Sequence, residues 1–140
     1  MNVKTYQGSC HCGSVRFEAN LDLGAGSNRC NCSICTKART WFILVKGDAN
    51  VRLLAGAEAQ TTYQWKPPGQ AESHLHFQFC KTCGVRCFGW GEAEQMGGKF
   101  YFVSVAALDL SESDFAAIPI HYADGRNGHY DQAPALTSWM

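Results

Sequence analysis

The chain has 140 residues, enough for one ordinary domain, and 46% are hydrophobic against 17% charged, which excludes an intrinsically disordered polymer. Twelve Lys and Arg balance twelve Asp and Glu, leaving no basic surplus to hold nucleic acid or an acidic membrane surface. No apolar stretch approaches the roughly 20 residues of a membrane span, and the N-terminal segment lacks a signal peptide's apolar core; the expectation is a soluble, cytoplasmic, single-domain protein over residues 1–140.

Strands dominate the predicted elements. In "SVRFEA" (14–19), Val15, Phe17 and Ala19 alternate with Ser14, Arg16 and Glu18, the pattern of a half-buried strand. "TWFILVK" (40–46) is β-branched and aromatic and reads as a central strand. "VRLL" (51–54), "TTYQW" (61–65), "HLHFQF" (74–79), "VRCFGW" (85–90) and "FYFVSV" (100–105) follow, separated by turns such as Gly47-Asp48, Pro67-Pro68-Gly69 and Gly97-Gly98. Helix is scarce: one turn beginning at Ser33, and a short piece around 111–117 that Ser111 could cap and Pro119 would end. The class is mainly β, one domain, with short strands forming two sheets or an open barrel.

Eight cysteines in a cytosolic chain need a reason, because the reducing cytosol disfavours a disulfide framework. Buried thiols acting as small hydrophobes would explain one or two, but seven of the eight fall in C-x-C, C-x-C-x-x-C and C-x-x-C patterns, which point to metal. In "FCKTCGVR", Cys80 and Cys83 followed by Gly84 read as a zinc knuckle supplying two thiolates. In "GSCHCGSV", Cys10 and Cys12 sit at the mouth of a strand, where residues i and i+2 share a face and can grip one ion. Two plus two makes a closed four-thiolate site of the structural kind.

"RCNCSICTKART" places Cys30, Cys32 and Cys35 within reach of one further ion. Three protein ligands leave a fourth position for water or substrate, the layout of catalytic zinc. The spacing alone does not force this partition: Cys87, in "GVRCFG", could complete a second four-thiolate site, although a cysteine in an apparent strand is more often a core thiol. His74 and His76 share a strand face, His11 lies between two ligands and points away, and His121 and His129 flank a C-terminal loop that could act as a lid or wall. A plain structural role is the commoner one for each histidine. A free nucleophilic thiolate is disfavoured where the triplet holds zinc, and the chain contains neither a P-loop nor a G-x-S-x-G elbow.

The order "GSCHCGSVRF", "CNCSIC", "FCKTCG" resembles the glutathione-dependent formaldehyde-activating enzyme family, which also contains centromere protein V. The resemblance runs over about residues 5–131, since "PIHYADGRNGHYDQ" is similar to the family's C-terminal segment. It implies a mainly β fold of the β-tent type, short antiparallel strands held by a structural zinc with little helix. It implies two zinc ions: a structural one on Cys10, Cys12, Cys80 and Cys83, and an open, catalytic one on Cys30, Cys32 and Cys35. It further implies a carbon–sulfur lyase that adds a small thiol such as glutathione to formaldehyde or a similar small electrophile, or the reverse. A non-catalytic zinc-binding protein-interaction module is the alternative, as in some relatives of this fold. The chromatin role of centromere protein V is disfavoured by zero net charge and the lack of a basic extension. Two departures stand out: Cys87 lies outside the family's ligand set, and Arg126-Asn127-Gly128-His129 replaces a common Lys/Arg-Ala-Pro-Trp pattern, implying a remodelled wall. A tripeptide thiol would need cations beside the triplet, for which Lys37, Arg39 and Arg86 are the candidates.

Overall fold

The computed structural model describes residues 2–69 and 74–140, which form ten strands and two short α-helices among short 3-10 turns. The first part of the chain runs β1 (Lys4–Ser9), β2 (Arg16–Leu21), β3 (Ser27–Cys30), α1 (Ser33–Ala38), β4 (Phe42–Lys46) and β5 (Val51–Ala55). It continues through β6 (Gln60–Trp65), β7 (Leu75–Cys80), β8 (Phe88–Ala93), β9 (Gly98–Ser104), α2 (Glu112–Ala117) and β10 (Ile120–Ala123). The mainly β expectation holds, and the strands form two sheets. The smaller has the order β1-β2-β5 and the larger β10-β3-β4-β9-β8-β7-β6, open at both edges rather than closed as a barrel. All pairings are antiparallel except β10 with β3. No helix among the described residues is long and apolar enough to cross a membrane.

The core lies between the sheets. β2 turns Phe17, Ala19 and Leu21 inward, with Val15 just before it, while Arg16, Glu18 and Asn20 stay at least partly in solvent. From the larger sheet come Ile43, Val45, Phe88, Tyr101 and Val103. Phe17 and Phe88 meet edge-on at 5.6 Å between centroids, joining the two layers.

Several expectations are corrected in detail. The segment read as a strand from residue 85 becomes one only at Phe88, because Val85, Arg86 and Cys87 are still leaving the turn at Cys80. The predicted turn at Ser33 extends to six helical residues. α2 appears as expected, with Ser111 Oγ accepting from the Asp114 amide at 3.1 Å. The sequence reading does not anticipate β3 and β10, which are four residues each and lack a sustained apolar alternation. They are held by tertiary bonds: Trp41 Nε1 donates to the fully buried Ser27 Oγ at 2.7 Å, and Ser27 Oγ donates to the Pro119 carbonyl at 2.8 Å.

Truncating Phe17 to Ala should cost about 3–5 kcal/mol of stability, the usual range for removing a core aromatic. Denaturant unfolding of the metal-loaded protein measures it, and a loss below about 1 kcal/mol would contradict the inter-sheet position given to Phe17.

Candidate metal centres

The structure gathers seven cysteines into two groups, and all eight are unbridged. Cys10, Cys12, Cys80 and Cys83 form the first, every sulfur within 4.8 Å of the others. The C-x-C and C-x-x-C segments are turns built on one plan. The Cys10 amide donates to the Val15 carbonyl at 3.0 Å, and the Cys80 amide donates to the Val85 carbonyl at 3.1 Å. In each turn a glycine amide, Gly13 or Gly84, returns to the carbonyl of the first cysteine. Gly84 leaves its turn at φ +76°, a conformation that a side chain would strain. The strand-face argument for Cys10 and Cys12 is therefore corrected, since β1 ends at Ser9 and a second knuckle-like turn aims their sulfurs.

The donor set fits zinc. Sulfurs at the corners of a tetrahedron with Zn–S near about 2.3 Å lie about 3.8 Å apart. Here Cys10 to Cys12 is 3.7 Å and Cys12 to Cys80 is 3.6 Å, far too long for disulfides. Backbone amides point at these sulfurs as they would at thiolates: Val15 at Cys10 (3.3 Å), Thr82 and Cys83 at Cys80 (3.4 and 3.5 Å). A hydrogen bond from the Cys12 backbone amide is the first of the contacts that hold the Cys83 thiol down, at about 6.

The second group is Cys30, Cys32 and Cys35, also within 4.8 Å of one another. Cys30 ends β3, Cys32 caps α1, and Cys35 lies in its first turn, so residues three apart on a helix face the strand's last sulfur. Hydrogen bonds from Cys32 and then Cys35 lower the Cys30 thiol, while hydrogen bonding to Cys30 and Cys32 raises Cys35. Three sulfurs this close take one negative charge readily, and further ionisation calls for a cation. Zinc suits such a set.

The sequence reading overlooked the residues that close the triplet's back. Asn31, 4% exposed between two of the cysteines, donates through Nδ2 to Asp124 Oδ1 at 2.8 Å and accepts at Oδ1 from the Arg126 amide at 2.9 Å. Arg126 Nε donates to the Asn31 carbonyl at 3.0 Å, and Thr36 Oγ1 donates to the same carbonyl at 3.1 Å. This latch presses Gly125 onto the cluster so closely that a Cβ there would sit 2.5 Å from Cys30 Sγ. The only sequence signal for it was the wall expected from residues 119–132, and nothing singled out Asn31.

On the other side the triplet opens into a cavity of about 450 Å³, walled by Trp65, Phe77, Phe100, Phe102 and Tyr130. Cys87 belongs to neither group. It is 1% exposed beside the four-cysteine group, and burial pushes its thiol up to about 12, as a core thiol's would be. The histidines also stay outside both groups. His76 stacks on Trp90 at 3.8 Å, His129 bonds Gln132, His121 lies against Gly26, and His11 and His74 are exposed.

A family model described as "Glutathione-dependent formaldehyde-activating enzyme" matches residues 5–123. A Halomonas elongata protein named "Putative glutathione-dependent formaldehyde-activating enzyme" is 39% identical over 83 residues, covering 55% of this chain and 50% of that protein. The chain thus spans about half the length of this curated relative. A crystal structure of a Rhodobacter sphaeroides protein is 28% identical with a TM-score of 0.62, over 81% of this chain and 98% of that one.

Replacing Gly125 by Ala should displace Cys30 Sγ or lift the latch, weakening metal at the triplet by about 10–100-fold, the usual effect of disturbing a ligand's support. Metal at the four-cysteine group should be unaffected. Chelator competition followed by native mass spectrometry reads both, and unchanged retention at the triplet would show that the latch does not position the sulfurs.

Proposed function

The chain belongs to the glutathione-dependent formaldehyde-activating enzyme family, and from that premise we propose that it is a single-domain, zinc-dependent enzyme of the carbon–sulfur lyase type. It adds a small thiol such as glutathione to formaldehyde or a similar small electrophile, or runs the reverse. Two zinc ions bind per chain, a structural one on Cys10, Cys12, Cys80 and Cys83 and a catalytic one on Cys30, Cys32 and Cys35. Eight unbridged cysteines suit a reducing, cytoplasmic compartment.

One observation carries this reading: three sulfurs, not four, lie at the floor of a cavity large enough for a substrate. A concave, aromatic-walled space over metal-binding sulfurs favours a small-molecule site over a flat protein-docking surface. Zinc bound there supplies a cation that lowers a ligating thiol's pKa and polarises an aldehyde oxygen. The chain's own groups then set the chemistry. Three thiolates outweigh the metal's two positive charges, which favours a nucleophilic thiolate over hydroxide as the incoming group. The aromatic walls give the aldehyde an apolar surround. In the reaction, the thiol's S–H and the aldehyde's C=O π bond break, a C–S bond forms, and the proton ends on the former carbonyl oxygen. The reverse returns free thiol and aldehyde. The latch from Asn31 to Asp124 and Arg126 keeps the sulfur floor in place meanwhile.

Substitution separates the two centres. Structural zinc contributes roughly 10–16 kcal/mol of apparent binding free energy in small zinc peptides, against a net stability of about 5–15 kcal/mol for a domain. Cys80→Ser should therefore largely unfold the protein. Cys32→Ser should leave it folded with one zinc and no turnover, because the triplet closes only a six-residue loop. Circular dichroism, thermal melts and zinc counts compare them, and equal unfolding would make the triplet structural. The cobalt-substituted protein should also change its thiolate-to-metal absorption on adding glutathione or another small thiol. No response to any thiol or aldehyde would move the assignment to a binding module.

A further inference from the structure

Of the three cations that the sequence offers for the acid end of a substrate thiol, two are accounted for. Lys37 is exposed on α1, and Arg39 donates through Nη1 to the Trp139 carbonyl at 2.9 Å. Arg86 is different. It is half-buried in the stretch leaving the second knuckle, with its Cζ 4.9 Å over the Phe77 ring. Among the described residues it has neither an ion pair nor a hydrogen bond, and its Nη1 is buried without a partner. Thr40 Oγ1 is likewise buried and unpaired.

Both line a cavity of about 500 Å³ that shares Thr40, Phe42, Phe77 and Phe102 with the cavity over the sulfurs. A partly desolvated guanidinium with idle donors is costly unless something anionic completes it. Its planar fork matches a carboxylate, and the Phe77 ring beneath it fixes the plane.

We propose that Arg86, with Thr40, forms a carboxylate subsite for the substrate thiol, holding its acid end while its sulfur sits at Cys30, Cys32 and Cys35. The subsite rests on the reading of the triplet as a thiol-binding metal centre and adds a requirement to it: the thiol is an acid. A rival role, in which Arg86 only offsets the charge of the metal–thiolate group, predicts equal effects on acidic and neutral thiols.

The test uses the cobalt-substituted protein, titrated with 3-mercaptopropionate and its neutral amide, and reads the ratio of their dissociation constants from the absorption change. Wild type should prefer the acid by roughly tenfold or more, the value of a charge-assisted hydrogen bond. Arg86→Met keeps the stem over Phe77 and should bring the ratio close to one with the amide's affinity little changed. Arg86→Lys keeps the charge without the fork and should give an intermediate ratio, which also serves if the Met variant fails to hold cobalt. Equal binding of acid and amide by wild type, or a wild-type ratio in either variant, would overturn the subsite and leave the thiol site standing. An equal loss for both thiols in Arg86→Met would overturn it in favour of charge balance. No binding of either thiol to wild type would overturn the subsite and the thiol site together.

Discussion

The fold turns on one meeting of chain segments: the turn between β1 and β2 and the turn between β7 and β8 bring four sulfurs within 4.8 Å of one another. These turns belong to different sheets, and Cys12 and Cys80 are 68 residues apart in sequence. A metal held there closes a long loop and fastens the smaller sheet to the larger beside the Phe17–Phe88 contact. The two turns share a hydrogen-bond plan, each first cysteine's amide reaching a carbonyl five residues on, although the cysteine spacings differ. Cys87, buried beside this group, adds to the apolar packing and leaves the donor count at four.

The second centre inherits its position from that frame but is assembled from local chain. β3 and α1 supply all its sulfurs within six residues, and the long-range element is β10, which pairs with β3 in parallel and delivers the segment at Asp124, Gly125 and Arg126 to the back of the cluster. The polar latch excludes solvent from behind while aromatic rings line the front. The aromatic-walled cavity gives the triplet an open side, the geometric condition for a centre that accepts an outside ligand. The four-cysteine group has its donors complete and nothing further to accept.

Much of this was legible because zinc spacing is a local code. Cysteines at C-x-x-C, followed by Gly84, announce a turn that aims two sulfurs together, and the strict alternation from Val15 to Ala19 announces the strand beside it. What stayed hidden is what depends on distant chain. β3 reads "SNRC" and β10 reads "IHYA", too short for a pattern, and they exist because each pairs with the other and Ser27 bonds Pro119. Asn31 looks like a spacer between two cysteines until Asp124 and Arg126, more than ninety residues on, claim its amide. The strand-face reading brought Cys10 and Cys12 together by the wrong geometry, since an i, i+2 pair converges on a tight turn as well as on a strand. Arg86 was one of three equivalent cations in the sequence, and only burial and partners distinguish it.

The two-zinc account is tested most directly by anomalous diffraction at the zinc edge from crystals of the protein grown without chelator. It predicts two peaks per chain. One should be ringed by the sulfurs of Cys10, Cys12, Cys80 and Cys83, and the other by those of Cys30, Cys32 and Cys35 with a fourth ligand from outside the chain. A single peak at the four-cysteine group, or a fourth protein ligand completing the triplet, would contradict the assignment of the second centre as an open catalytic site.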